Sequence, residues 1–372
     1  MKILMTADPL GGVWPYTLEL CTGLQGFGVE VVLATLGRPL SETQRAEVAA
    51  LEHVQLHESH YRLCWMPNAW DDVERAGEWL LELEAEVGPD LIHLNDLGHG
   101  HLPWQAPVVL VAHSCVCSWW RAVKKEAAPS QEWRLYRQRV AAGCQQAALV
   151  VAPSQAMLAA FLAEHGNCQQ AQVIYNGRDF PEELPWEQLC LQKEPFCFSA
   201  GRLWDEAKNI AALARVAPDL HWAVKVAGEP NEATDLTEVE FLGHLENWEM
   251  AEQLRQAAIY VMPAQYEPFG LSILEAARSS CALVLGDIPS LREIWGDAAR
   301  FVNPNDTENL KHVLNELAQQ PEVRQELAQR AWQRARQYSR ARLATEYWQS
   351  YQRIMTQANT PSQTALAGGA SA

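Results

Sequence analysis

The sequence predicts an α/β protein made of two doubly wound domains that face a central cleft. Its 372 residues exceed what one hydrophobic core usually supports, so two domains are expected. Short β-branched or apolar runs alternate with helix-length segments from the first residue onward. This alternation stops once, in a proline-rich and acidic stretch after residue 178, and then begins again. Alternating strands and helices form parallel sheets, which bind ligands beyond the carboxyl ends of their strands.

Each predicted strand is a short apolar run next to a helix-length segment. The predicted strands of the first half are residues 2–6, 29–36, 91–94, 108–112 and 149–152, with helices at 17–26 and 71–87. The predicted strands of the second half are residues 196–200, 222–227, 239–242, 259–262, 282–285 and 300–302. A helical stretch from residue 321 to about residue 354 carries five aromatic residues. We expect part of it to pack back on the first domain.

These elements divide the chain into five parts. The parts are a first domain at residues 1–180, a linker at 181–195, a second domain at 196–340, a returning helix at 341–356 and a disordered tail at 357–372. The tail is rich in glycine, alanine and serine, and it has too little apolar surface to fold.

The composition is that of a soluble globular protein with an acidic surface. The net charge is −17 at pH 7 and the sequence pI is about 5.1. Such a charge opposes nucleic acid and anionic membranes, so we expect no nucleic-acid partner and at most peripheral membrane contact. No signal peptide is recognisable, and no apolar run approaches the roughly 20 residues that span a bilayer. A cytoplasmic location is expected.

The nine cysteines are odd in number and scattered along the chain. Most lie in apolar runs, where a free cysteine acts as a small hydrophobic residue in a reducing compartment. Cys115 and Cys117 are two positions apart, but no second pair at zinc spacing accompanies them. The sequence therefore predicts no metal site.

The strongest functional pattern is EPFGLSILEAARSS, residues 267–280, in which two glutamates stand eight positions apart. A predicted strand leads into a loop here, and the loop leads into a helix that begins near Leu271. The start of such a helix offers the N–H groups of Phe269, Gly270 and Leu271 to an anion or a sugar hydroxyl. Glu275 lies about one turn into the helix, where a carboxylate can accept two vicinal ribose hydroxyls. A single acid in a first helical turn is also a common stabilising feature. The prediction therefore rests on the whole string and not on Glu275 alone.

This string resembles the Glu-x7-Glu signature of retaining GT-B glycosyltransferases, and of glycosyltransferase family four in particular (glycogen synthase-like or group 1 transferases). The resemblance continues downstream at Glu293, Asn303 and Pro304. It implies that Glu275 holds the ribose of a nucleotide-sugar donor and that Glu267 holds the transferred sugar.

The resemblance also implies the architecture and the ligands. The fold would be GT-B, in which the first Rossmann-like domain faces the acceptor and the second binds the nucleotide-sugar. The donor would be a substrate, and no cofactor is expected. Residues 279–281 depart from the family, which usually shows a glycine and then a proline there. This departure touches no expected catalytic group.

Two cations follow the first strand of the second domain, in AGRLWDEAKNI. Arg202 offers a planar guanidinium and Lys208 a compact ammonium group. Both suit a nucleoside diphosphate, whose negative charge grows as the sugar leaves. They would replace the divalent metal of other transferases, consistent with the lack of an aspartate-x-aspartate pair. In an unrelated protein such residues are usually surface charges, and here their order along the chain matches the family.

Two features of the first domain gain meaning from the same resemblance. Gly11 and Gly12 follow the first strand, and a glycine turn between strand and helix is common in doubly wound domains. In the family this loop faces the donor, so we assign Gly12 a backbone contact with it.

His113 ends a buried strand, where a lone histidine is usually structural. The family places an active-site histidine there, and we expect His113 to act as a hydrogen-bond donor or a polar orienter.

Three further residues match family loops at the domain seam. They are Ser154, Asn176 and Gly177, for which a helix cap and a tight turn are equally good interpretations.

The segment at residues 118–140 combines four aromatic residues with six basic and two acidic ones. It fits a monolayer-seeking helix, a platform for a sugar acceptor, or a solvated helix with a packed face.

Together these patterns predict a retaining, metal-independent hexosyltransferase. It would move a sugar from a nucleotide-sugar donor to a hydroxyl of a carbohydrate or glycosylated acceptor, with Glu267, His113, Arg202 and Lys208 as catalytic residues. Two alternatives stay open on the same fold. One is a nucleotide-sugar epimerase or hydrolase, and the other is a non-catalytic nucleotide-sugar-binding protein.

Overall fold

A computed structural model of the chain describes residues 1–179, 185–230 and 236–358. Its first half contains a seven-stranded sheet. The strands are β1 (Lys2–Ala7), β2 (Glu30–Thr35), β3 (Val54–Glu58), β4 (Leu91–Leu94), β5 (Val108–Val111), β6 (Leu149–Ala152) and β7 (Ala171–Val173). All pairs are parallel, in the order β3-β2-β1-β4-β5-β6-β7. The intervening helices are α1 (Val13–Leu24), α2 (Glu42–Ala49), α3 (Trp70–Val87), α4 (Val116–Val123), α5 (Ser130–Gln146) and α6 (Gln155–His165).

The second half contains a six-stranded parallel sheet. Its strands are β8 (Glu194–Ala200), β9 (Ala223–Ala227), β10 (Glu240–Gly243), β11 (Ala257–Met262), β12 (Ala282–Gly286) and β13 (Arg300–Val302). Their order is β10-β9-β8-β11-β12-β13. The helices are α7 (Trp186–Leu191), α8 (Ile210–Val216), α9 (Asn247–Gln256), α10 (Leu271–Arg278), α11 (Pro289–Trp295), α12 (Thr307–Gln319), α13 (Pro321–Ala335) and α14 (Arg340–Ala358). The two sheets confirm the predicted fold class.

Each sheet is covered by helices on both faces, which explains its apolar strands. Ile3 and Met5 of β1 pack into the core on one face of the first sheet, and Leu4 packs into the core on the other. The sequence analysis did not predict β3 and β7. Both lie at the edges of the first sheet, and both contain part-exposed residues that blur the apolar pattern.

The strand order of each sheet reverses at one place, between β1 and β4 in the first and between β8 and β11 in the second. Loops beyond the carboxyl ends diverge at such a point and leave a crevice for a ligand. Gly12 follows β1, Arg202 and Lys208 follow β8, and Glu267 follows β11. The topology therefore brings most of the predicted site residues to the two switch points.

The chain crosses between the two domains twice, first near residues 177–178 and again near residues 338–339, and the two crossings are in contact. The N–H of Arg178 donates to the carbonyl of Tyr338 at 3.1 Å. Gly177 lies so close to Ser339 that a Cβ there would overlap its carbonyl oxygen. The segment predicted as a linker contains α7 and the start of β8. Its residues 181–184 lie outside the described residues.

The helix α14 packs along α1, so the end of the described chain completes the first domain. A Cβ at Gly23 of α1 would come within 2.5 Å of the Cβ of Ala344. The rings of Phe27 and Trp348 stack at 5.4 Å, and Tyr351 is fully buried in the core. Of the predicted disordered tail, residues 357 and 358 are helical, and residues 359–372 lie outside the described residues. Among the described residues, no helix has both the length and the apolar character needed to cross a membrane.

Candidate active site

The loop after β8 presents Arg202 and Lys208 on a short turn anchored by Asp205. The Asp205 carboxylate accepts hydrogen bonds from Arg202 at 3.0 Å and from the N–H of Ala207 at 3.0 Å. Burial alone would raise the pKa of Asp205, but Arg202 and Lys208 outweigh it and lower that pKa. The anchor is therefore anionic and holds the Arg202 guanidinium in place.

Lys208 and Glu267 form an ion pair between the two switch loops of the second sheet. The Lys208 ammonium donates to the Glu267 carboxylate, and both side chains are largely buried. The backbone N–H of Phe269 donates to the other Glu267 oxygen at 3.4 Å, and the Phe269 ring is buried. Of the three predicted N–H groups, that of Phe269 is thus directed at a protein carboxylate. Gly270, at φ 89°, precedes α10 in a conformation that favours glycine.

Glu275 is paired with a cation that the sequence analysis did not identify. The Arg178 guanidinium donates to Glu275 and lies 3.7 Å from Glu19 of α1, which accepts from Arg340 at 2.6 Å. Burial raises the pKa of Glu275, and Arg178 offsets this only in part. The carboxylate predicted to hold a ribose therefore belongs to a charge network at the two chain crossings.

The glycine turn of the first domain faces these groups across the cleft. A Cβ at Gly11, where φ is 65°, would lie 2.9 Å from the Arg202 guanidinium. A Cβ at Gly12 would lie 3.7 Å from the Leu271 side chain. Only a turn without side chains leaves room for Arg202 at this place. The predicted donor-binding groups of both domains therefore meet in one region.

His113 belongs to a polar chain at the carboxyl ends of β4 and β5. Its Nε2 lies 2.8 Å from Oδ1 of Asn95, whose Nδ2 donates to the carbonyl of Thr6 at 2.8 Å. This bond makes Oδ1 of Asn95 the acceptor and Nε2 of His113 the donor. Burial, assisted by neighbouring His93, lowers the pKa of His113 to about 3. The ring is neutral at pH 7, and its Nδ1 has no hydrogen-bond partner within the described ranges.

Asp8, which the sequence analysis did not single out, follows β1 in the same region. Its Oδ1 accepts the N–H of Leu10 at 2.8 Å. Burial raises its pKa to about 7, although Leu10 and Arg202 act in the opposite direction. A carboxyl that titrates near neutrality beside a cation is suited to proton transfer.

The seam residues connect the two domains. The Ser154 hydroxyl accepts from the N–H of Met157 at 3.1 Å, as a helix cap, and donates to the carbonyl of Pro268 at 2.8 Å. Glu293 accepts from the N–H of Gln155 at 2.7 Å, so a carboxylate of the second domain caps a helix of the first. Asn176 is buried and directly precedes Gly177 at the first crossing.

Several side chains of the aromatic and basic segment at residues 118–140 contact other parts of the protein. Trp119 donates to Asp205 at 3.0 Å, and Lys124 pairs with Glu206 at 2.6 Å, both across the cleft. Tyr136 is buried, and its hydroxyl accepts the N–H of Val116 at 3.2 Å. These contacts favour the packed-face interpretation of the segment.

Sequence reasoning missed Asp8, Asn95, Arg178 and Asp205. The signal for three of them was available, because each follows a strand in a loop at a switch point. Asp8 stands in ADPLGG, Asn95 in HLND and Asp205 in GRLWDE. Arg178 stands after β7 at the sheet edge, and nothing in its neighbourhood along the chain indicates a contact with Glu275.

Comparisons with known families cover most of the chain. Residues 10–180 match the model of Glycosyltransferase Family 4, and residues 181–334 match that of Glycosyl transferases group 1. An O-antigen chain mannosyltransferase B from Escherichia coli is 31% identical over 114 residues, or 30% of either chain. A glycogen synthase from Mycobacterium tuberculosis is 36% identical over 96 residues, 25% of this chain and 23% of that protein. The matched segments thus span less than a third of these curated relatives.

Solved structures match over nearly the whole chain. Sucrose-phosphate synthase from Thermosynechococcus elongatus has a TM-score of 0.78 at 18% identity, covering 96% of this chain and all of that one. Anabaena HepE in complex with UDP-glucose has a TM-score of 0.72 at 16% identity, covering 95% and 100%. At these identities the structural similarity shows the fold alone. The assignment of the chain to a family rests on the two family models. The chain belongs to the GT-B glycosyltransferases of the family-four type.

Proposed function

We propose that the protein is a retaining glycosyltransferase that moves a hexose from a nucleoside diphosphate sugar to a hydroxyl of a carbohydrate-type acceptor. The observation that carries the proposal is the meeting of Arg202, Lys208 and Glu267 at one switch point, opposite the Gly11–Gly12 turn. Two cations and a carboxylate at this place match two parts of a donor: the cations match its diphosphate, and the carboxylate matches its sugar hydroxyls. The first domain would then face the acceptor and the second would bind the donor.

The charges are suited to stabilise a leaving diphosphate. In the transfer, the bond between the anomeric carbon and the phosphate oxygen breaks, and the acceptor oxygen bonds to the same face of that carbon. The acceptor proton passes to the departing phosphate. Arg202 and Lys208 would stabilise the growing negative charge there, so positioning and electrostatics supply the catalysis. This role needs no divalent metal.

The remaining residues would orient the donor. Glu267 would accept hydroxyls of the sugar once Lys208 turns to the phosphate, and Glu275 would accept those of the ribose. His113 would contribute through Nδ1 as a hydrogen-bond acceptor, because its Nε2–H is committed to Asn95. Of the two roles expected for His113 from the sequence, this contact corresponds to the polar orienter rather than to the hydrogen-bond donor. Gly12 and the N–H groups of Gly270 and Leu271 would contact the donor through the backbone.

A donor screen with product analysis tests the function. Purified protein is incubated with UDP-glucose, the ligand of Anabaena HepE, and with GDP-mannose, because several relatives are mannosyltransferases. Oligosaccharide and glycolipid acceptors are added in turn, and NMR reports the anomeric configuration of the product. Retention of configuration in a new glycoside is expected. An inverted product would contradict the mechanism, and an epimerised or hydrolysed donor that acceptors leave unchanged would contradict the function.

A further inference from the structure

Behind the cleft, the first domain buries two thiols and an imidazole in one cluster. The Sγ of Cys115 lies 3.0 Å from Nε2 of His165. The ligating atoms of Cys115, Cys117 and His165 all lie within 4.8 Å of one another, and all three residues are buried. Within the described ranges, no other group of three such donors is as closely assembled.

The fold builds this cluster from two separate elements. Cys115 precedes the first residue of α4, Cys117 is the second residue of that helix, and His165 is the last residue of α6. The imidazole is packed against the rings of Phe161 and Tyr136, at centroid distances of 4.9 and 6.0 Å. Packing therefore aims Nε2 at the sulfur.

The other ring nitrogen of His165 takes no part in hydrogen bonding within the described part of the chain. Its Nδ1 is buried and has no partner among the described residues. A buried polar ring is normally held by hydrogen bonds on both sides. Among the described residues, the one hydrogen-bond partner of the ring is the Cys115 sulfur, so the imidazole is positioned for that sulfur and for whatever the sulfur binds.

We propose that Cys115, Cys117 and His165 bind one thiophilic metal ion, and that zinc is the ion expected. Two thiolates and one neutral imidazole are three of the four donors of a tetrahedral zinc site, and a water molecule would take the fourth position. Binding would release the two thiol protons to solvent, and the resulting Zn²⁺ complex would carry no net charge. A neutral complex suits a buried site. Sequence spacing concealed the site, because the third ligand stands on another helix.

The position of the cluster indicates a structural role beside the cleft. It fixes the start of α4 through Cys115, which stands two residues after His113. The same helix reaches the second domain through Trp119, which donates to Asp205, and through Lys124, which pairs with Glu206. A metal ion at Cys115 would therefore hold α4 where it contacts the turn that carries Arg202. This site is independent of the proposed transferase activity.

Metal analysis of the full-length chain tests the proposal. The protein is purified under reducing conditions without added chelator, and its zinc content is measured by mass spectrometry. About one zinc per chain is expected for the wild type and for Cys144→Ser, a control thiol buried in the same core. Cys115→Ser, Cys117→Ser and His165→Gln should each lose most of the metal. Cobalt added to metal-free wild type should produce a sulfur-to-cobalt charge-transfer band.

The wild type alone decides the question if the variants fail to fold, as judged by circular dichroism. Folded, reduced wild type that holds no thiophilic metal and gives no cobalt charge-transfer band would overturn the proposal. A disulfide between Cys115 and Cys117, seen as the loss of two hydrogens in the intact mass, would also overturn it. Neither result bears on whether the protein transfers sugar, because no substrate is used in these measurements.

Discussion

At the scale of single residues, the cations of the candidate site already have carboxylate partners before any donor binds. Lys208 pairs with Glu267, Arg202 with Asp205 and Arg178 with Glu275. A donor that binds to one of these cations must therefore displace the carboxylate with which the cation is already paired. Removing one member of a buried pair leaves the other uncompensated, which is more damaging than losing the attraction alone.

Loss of either phosphate-binding cation should weaken nucleoside diphosphate binding. We expect Arg202→Ala and Lys208→Ala each to cost about 2–4 kcal/mol, since a charged hydrogen bond to the ligand is lost. Calorimetric titration measures the change, with Arg300→Ala of the same domain as a control, because Arg300 pairs with Glu316 instead. Unchanged affinity in both variants would remove these residues from the site.

The two glutamates of the 267–280 string should have separable kinetic effects. Glu275→Ala should chiefly raise the donor KM, since a ribose is held equally in ground state and transition state. Glu267→Ala should chiefly lower kcat, on the order of 100-fold, if its contact strengthens as charge develops on the sugar. Steady-state kinetics on folded variants separates the two, and Glu267→Gln tests whether hydrogen bonding suffices. Wild-type kcat and KM in both alanine variants would refute the assignment.

Asp8 should make stability depend on pH in an unusual direction. Burial raises its pKa from 3.8 to about 7, so between these values the folded chain binds a proton that the unfolded chain releases. The free energy of unfolding should therefore fall as pH rises through this window, relative to Asp8→Asn, which keeps the acceptor for Leu10. Urea unfolding from pH 4 to 8 measures both, with the exposed Asp219→Asn as control. Parallel curves for the wild type and Asp8→Asn would show that Asp8 is already ionised.

At the scale of elements, the sequence identified the structures whose burial is complete. The fully buried strands β4 and β6 begin and end where predicted, because polar residues hardly interrupt their apolar runs. The edge strand β3 alternates polar and apolar residues over only five positions, so its pattern resembles a loop. The site loops were predictable because polar residues followed buried strands. Their partners were not, since Arg178 and Glu275 are joined by folding across 97 positions.

A strained residue lies two positions after the end of α10, within residues 279–281, where the sequence departs from the family. Ser280 adopts a left-handed conformation with φ 60°, and its buried hydroxyl has no hydrogen-bond partner among the described residues. Ser280→Gly should raise the free energy of unfolding by up to about 1 kcal/mol, because relief of strain exceeds the added chain entropy. Ser279→Gly, at φ −85°, is the matched control and should destabilise. Chemical denaturation measures both, and a less stable Ser280→Gly would contradict the strain argument.

At the scale of the whole molecule, the cleft combines charges from both domains without a cluster of metal-binding carboxylates in the described chain. Brief treatment with excess EDTA should leave turnover within about twofold of the untreated enzyme, since Arg202 and Lys208 carry the electrostatic role. The assay is repeated with added magnesium or manganese. Zinc content is measured on the same sample, so that loss of zinc from the cysteine cluster is recognised. Abolished activity that magnesium or manganese restores would contradict the proposed mechanism.

The packing of α14 on α1 affects the order in which the protein can fold during its synthesis. The seven strands of the first sheet leave the ribosome before Leu343, Tyr347 and Ile354, which complete the core on one face of that sheet. A nascent chain usually folds domain by domain from its amino terminus. Here the apolar face of α1 stays open to water until the second domain has also been made. The two domains therefore reach their final stability together, and the nascent first half is the stage at which aggregation or a chaperone would act.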